Sequence, residues 1–185
     1  GSQYTGLSGI QIVWVNPSYN IDFGSHDAAP SSAFGAAANV PGVWNQIISG
    51  SPVYLTDLTG AGTSAQITVT AADFGGYGGA VKTGDLGLLL NDNFYSSPGD
   101  PWSVSITGLA NGSYDFYYYA PTHPVVDTGA FTVNGRTAPN LTGSDVGNGD
   151  DQGIDWQVLH SVAVTNGTLT TSWVSGSQYT GLSGL

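Results

Sequence analysis

The densest set of oxygen donors in this chain lies in one stretch, Asp145-Val-Gly-Asn-Gly-Asp-Asp-Gln-Gly-Ile-Asp155. Calcium takes roughly six to eight oxygen ligands, and Asp interleaved with Gly lets a loop wrap the ion closely. Asp145, Asn148, Asp150, Asp151 and Asp155 are therefore candidate calcium ligands, with a solvated acidic loop as the alternative. The stretch lacks the regular spacing and closing Glu of an EF-hand loop. Asn91-Asp92-Asn93 is a weaker candidate and reads as a turn. Hydrolysis of a sugar bond needs two carboxylates facing each other across a cleft. All thirteen acidic residues are Asp, so some such pair is inevitable and no Glu can serve as the acid. His26, His123 and His160 have no metal-ligand spacing, and no Gly-x-Ser-x-Gly elbow occurs. The expectation is a protein that is not an enzyme.

Two further chemistries concern attachment and stacking. Asn111-Gly-Ser, Asn140-Leu-Thr and Asn166-Gly-Thr are sequons in predicted turns, where a glycan is accommodated. Asn16-Pro-Ser is excluded by its proline. In Ser113-Tyr-Asp-Phe-Tyr-Tyr-Tyr-Ala120, Tyr114, Phe116 and Tyr118 fall on one face of a strand and Tyr117 and Tyr119 on the other. One set must be core. The other is a candidate contact face, either stacking on sugar rings or buried by a neighbouring subunit.

The elements that must position these groups are strands. Gly, Ser, Thr, Asn and Asp clusters recur about every ten residues, the spacing of a sandwich or barrel. Ala65–Ala71 alternates with Ile67 and Val69 inward, and Trp102–Thr107 with Trp102, Val104 and Ile106 inward. Asn134-Gly135 is a strong turn pair, and Gln157–Thr165 with Thr168–Val174 around Asn166-Gly167 reads as a hairpin. Pro52 should open an edge strand over Val53–Thr56. Ser31–Asn39 is Ala-rich enough for a turn or two of helix, limited by Gly35 and Pro41. His160 reads as a packed strand residue, and Trp44, Trp102, Trp156 and Trp173 as core anchors. The fold expected is an all-β jelly-roll sandwich, with its first and last strands paired.

Composition narrows the partners. The 185 residues suffice for one domain with a sizeable core. Two basic residues, Lys82 and Arg136, cannot build a cationic patch, and the net charge of −11 argues against nucleic acid. No apolar run approaches the roughly 18 residues of a membrane span, so no membrane insertion is expected. The lack of an initiator Met reads as a processed or excised chain, and with no Cys no redox requirement opposes the extracellular address, secreted or at a cell surface, that is expected.

The ends carry the strongest signal. Gly1-Ser-Gln-Tyr-Thr-Gly-Leu-Ser-Gly9 recurs letter for letter as residues 176–184. The first copy runs on into Ile10-Gln-Ile-Val-Trp-Val15, a strand-like run; the second stops at Leu185. That is the pattern of a unit joining head to tail with copies of itself, or of one repeat cut from a tandem array.

Tyr19-Asn-Ile-Asp-Phe-Gly24, Gly42-Val-Trp-Asn45, Val104–Leu109, Gly112–Tyr117, Phe131–Gly135, Gly167–Thr170 and Leu7-Ser-Gly-Ile-Gln-Ile-Val13 follow a familiar order. The set resembles jelly-roll domains of large secreted bacterial proteins, distantly akin to galactose-binding-like modules. The resemblance implies that the Leu-Ser-Gly-Ile-Gln-Ile-Val strand should close the C-terminus. Here it stands at the N-terminus, so the sandwich is expected to have a slot for a neighbour's strand, as in donor-strand fibre subunits. Residues 1–18 are then donor strand and hinge, and 19–185 the sandwich. Ile10, Gln11, Ile12, Val13, Trp14 and Val15 are the donor residues, with Ile10, Ile12 and Trp14 on one face. Each apolar side chain buried contributes roughly 1.5–3 kcal/mol. The alternative at this level is that residues 10–15 fold back into their own chain. The function expected is a subunit of an extracellular filament whose partners are copies of itself. A carbohydrate-binding jelly-roll module with a glycan partner is the alternative.

Overall fold

The computed structural model describes residues 10–13, 17–70, 73–76, 82–120, 128–141, 151–173, 180–182 and 184. In chain order the elements are β1 (Ile10–Val13), β2 (Tyr19–Phe23), β3 (Trp44–Ile47), β4 (Val53–Thr56), β5 (Gly62–Thr70), β6 (Asp73–Gly76) and α1 (Gly84–Asn91). There follow β7 (Asp92–Ser96), β8 (Ser103–Thr107), β9 (Gly112–Tyr119), β10 (Phe131–Val133), β11 (Arg136–Ala138), β12 (Trp156–Val164), β13 (Leu169–Trp173) and β14 (Thr180–Leu182). A five-stranded sheet, β12-β9-β1-β2-β3, faces a six-stranded sheet, β11-β10-β13-β8-β5-β4, and β14-β7-β6 form a third. The pairings are antiparallel except β2 with β3. This is an all-β sandwich.

Period-two alternation explains why these runs are strands. Ala65, Ile67 and Val69 of β5, Val104 and Ile106 of β8, and Leu169 and Trp173 of β13 are buried from one sheet. Tyr19, Ile21 and Phe23 of β2 and Tyr114, Phe116 and Tyr118 of β9 meet them from the other, in one core. Aromatic rings cross it edge to face: Phe23–Phe94 at 4.9 Å, Phe94–Trp102 at 5.4 Å and Tyr118–Phe131 at 5.0 Å between centroids. The buried tyrosines keep their hydroxyls bonded, Tyr114 donating to Ala110 O at 2.7 Å and Tyr118 to Pro139 O at 2.6 Å. An unbonded buried hydroxyl would cost more than the ring contributes at its polar end. As expected, β4 lies at a sheet edge after Pro52. Asn134 and Gly135 adopt φ of 46° and 79°, the left-handed turn that joins β10 to β11.

Four expectations need correction. Asn166-Gly167 does not close a hairpin: β12 pairs with β9, β13 pairs with β8 and β10, and the link crosses between sheets. Leu159, Val162 and Val164 thereby enter the core opposite Leu169 and Trp173, rather than beside them. The first and last strands do not pair, since β1 lies between β2 and β9 while β14 pairs with β7. Residues 31–39 form turns, with left-handed Ala36 and Asn39, and not a helix. His160 is exposed; its ring meets Asp115 at 2.8 Å beside a bulge where Ser161 has φ of 59°.

The helix lies elsewhere. In α1, Leu89 and Leu90 are fully buried against Trp44 and Tyr119 on the outer face of the five-stranded sheet. Asp85 fastens it to the 28–40 loop by accepting both the amide and the hydroxyl of Ser31 at 2.7 Å. Its two glycines hide it from propensity, yet a Cβ on Gly87 would come within 2.5 Å of Lys82 O. Among the described residues, no helix is long and apolar enough to cross a membrane.

Candidate assembly site

β1 occupies a central position, bonded on both sides. Ile10, Gln11 and Ile12 stand opposite Ile21, Asn20 and Tyr19, while Ile12 and Val13 stand opposite Phe116 and Asp115. In the single chain the strand thus fills a place in its own sheet. Continuing its register along β2 by one residue leads to Asp22. The residue found opposite Asp22 is Gly184, antiparallel like β1. The other side of Asp22 is taken by Gln46 of β3, so Gly184 lies on the β1 side.

This coincidence has a sequence meaning. Gly184 is the counterpart, 175 positions on, of the residue that precedes Ile10. Just before it, Thr180, Gly181 and Leu182 pair with Ser96, Tyr95 and Phe94. One strand-shaped place therefore runs along β7 and then along β2. Thr180, Gly181 and Leu182 lie along β7, Gly184 lies opposite Asp22, and Ile10, Gln11 and Ile12 of β1 lie opposite Ile21, Asn20 and Tyr19 of β2. Read across the join, the two pieces spell residues 5–13 of the chain. Trp14 and Val15 lie outside the described residues.

The other candidates are dispersed. Asp145, Asn148 and Asp150 lie outside the described residues. Asp151 is exposed, and Asp155 is buried with its carboxylate accepting the Asp151 amide at 3.2 Å, which closes a turn. Asn111, Asn140 and Asn166 are all exposed. Their Oδ1 atoms accept from Gly167 N, Thr128 Oγ1 and Thr168 N at 2.8, 2.8 and 3.3 Å. Tyr119 is not part of an open contact face: it is 2% exposed, its hydroxyl accepting the Ala37 amide at 2.9 Å. Tyr117 is half-buried beside Trp156, with ring centroids 6.1 Å apart. The helix and the 28–40 loop cover the outer face of β9 that alternation alone leaves open. Of the four tryptophans read as core anchors, Trp44, Trp102 and Trp173 are buried and Trp156 is half-buried.

Of one further group, sequence reasoning noted only Asp92 as a candidate, within Asn91-Asp92-Asn93 read as a turn; those residues instead end α1 and open β7. His26, Asp27 and Asp92 bring ligand atoms within 4.8 Å of one another. The Asp92 carboxylate accepts the amides of His26 at 3.1 Å and Asp27 at 2.9 Å. Gly24, with φ of +133°, lets the chain pass against Asp92, where a Cβ would fall 2.5 Å from that of the aspartate. Nearby, Asp22 is fully buried, and among the described residues neither carboxylate oxygen has a hydrogen-bond partner. Burial, followed by the charges of Asp92 and Asp27, pushes the Asp22 carboxyl up to about 9. Burial also raises Asp92, to about 6. For Asp22 the sequence signal was an Asp between Ile21 and Phe23 in a strand-like run, which the structure buries on both faces.

Compared with protein-family models, with curated proteins and with solved structures, the chain matches none.

Proposed function

We propose that this chain is the subunit of an extracellular filament, joined head to tail by exchange of its N-terminal strand. Residues 1–15 of one copy fill, as one continuous segment, the place along β7 and β2 of the next. Residues 10–15 are the joint, and the nonapeptide before them extends it along β7. The observation that carries this reading is Gly184 in line with β1, because it gives the two identical nonapeptides one place to compete for. A strand taken from a neighbour makes the same ladder bonds as the chain's own, so exchange costs no contacts. Because donor and acceptor surfaces differ, a join that does not close into a ring propagates.

The turn between β1 and β2 decides which copy is filled. Ile12 and Tyr19 are register partners, so self-filling requires reversal over residues 13–18. Short hinges favour exchange, and added length in a loop costs little entropy. Inserting six Gly and Ser residues after Asn16 is expected to shift the chain at least about tenfold toward monomers, a change of ~1.4 kcal/mol. Deleting Asn16 and Pro17, which shortens the hinge and leaves the joint whole, is expected to drive it into filaments. Light scattering with electron microscopy reads both; equal assembly by the two variants would contradict the joint.

A further inference from the structure

We infer that His26, Asp27 and Asp92, whose ligand atoms lie within 4.8 Å of one another, bind a divalent cation with the buried carboxyl of Asp22 facing them, calcium by the chemistry of the donors. The acidic cluster alone would not carry this. The independent observation is Asp22: a carboxylate with no exposed surface and no donor to either oxygen, among the described residues. A buried carboxyl normally has hydrogen-bond partners, and one with none is accommodated either in its neutral form or against a cation.

Three placements aim Asp22 into the cluster. Tyr19, Ile21 and Phe23 of β2 turn into the main core, so Asp22 faces the opposite way. On that face its register partner on β3 is Gln46. The Gln46 amide donates to the Asp27 carbonyl oxygen at 2.6 Å, which holds the 25–27 turn over Asp22. From the other side, Asp92 at the start of β7 fixes the same turn through the amides of His26 and Asp27. The turn therefore presents the Asp27 carboxylate, and beside it the His26 ring at 3.4 Å, to two buried carboxylates. Each Asp92 oxygen retains a second lone pair after accepting one amide. The set is dominated by hard oxygens, which suits calcium better than zinc.

The test is calorimetric titration and thermal melting of the full chain, stripped of metal with chelator and then given calcium chloride. One equivalent is expected to bind. At free calcium about 100-fold above Kd, the melting midpoint is expected to rise by about 5–10 °C. Asp22→Asn, which keeps shape but not charge, is expected to melt higher than the metal-free parent and to lose the calcium response. Asp27→Asn, at a half-buried position where the fold is not at stake, is expected to weaken binding at least about tenfold. No calcium-dependent rise in the parent chain would overturn the proposal. A rise retained at full size in Asp22→Asn would also overturn it, because the ion would then sit elsewhere.

Discussion

A chain lacking residues 1–15 is expected to form no filaments, and a peptide of those fifteen residues is expected to restore its fold as a one-to-one soluble complex. Removing the segment takes β1 from the middle of the five-stranded sheet and leaves β2 and β9 without ladder partners on facing sides. Unpaired backbone groups on two strands, beside an apolar groove, cannot be left open without aggregation or loss of order. The peptide supplies the missing strand but carries no sandwich of its own, so growth stops there. Added to the full-length chain at several-fold excess, the same peptide is expected to shorten filaments at least about tenfold by capping, measured as contour length in electron micrographs. A peptide that neither rescues the truncated chain nor shortens filaments would show that residues 1–15 are not what fills the neighbour.

Replacing Asn45 by Ala is expected to cost about 2–4 kcal/mol. Asn45 is buried, at the edge strand β3 of one sheet, and reaches the edge strand β4 of the other. Its Oδ1 accepts the Thr56 amide at 2.8 Å and the Thr56 hydroxyl at 2.9 Å. Its Nδ2 donates to Asn20 O at 3.0 Å and Thr56 O at 2.9 Å. All four bonds fall together, and alanine offers nothing to the groups left behind. For a chain of this length the melting midpoint should drop by about 5–12 °C. Thr56→Val removes only the hydroxyl bond and should cost about 1 kcal/mol. Equal effects from the two substitutions would mean that the amide does not join the sheets.

The strands were legible because alternation is local: Ile67, Val69, Val104 and Ile106 announce their face within a few residues. Which sheet each strand joins was not. Asn166-Gly167 signals a reversal, and the same reversal serves a hairpin or a crossing between layers. Whether the second aromatic face of β9 is open could not be read from Tyr117 and Tyr119. Their cover comes from α1, whose Gly84 and Gly87 conceal its helical period. The cluster unites His26 and Asp27 of a turn with Asp92 of β7, facing Asp22 of β2, and Asp27 and Asp92 are 65 positions apart. No spacing rule reaches that far. The duplicated nonapeptide was visible at once, while its meaning needed the register of β1 against β2.

The central claim, that the N-terminal copy of the nonapeptide takes the β14 place of a neighbour, is tested most directly by a cysteine pair. Thr180 stands opposite Ser96, and Thr5 is its counterpart in the first copy. The chain has no cysteine of its own, and directly opposed residues on antiparallel strands are within disulfide reach, at roughly 4.5–5.5 Å between Cα atoms. Filaments of Thr5→Cys/Ser96→Cys, oxidised and run without reductant, are expected to give a ladder of covalent multimers that collapses on reduction. A single monomer band from such filaments, with Thr180→Cys/Ser96→Cys still closing within each chain, would contradict strand exchange.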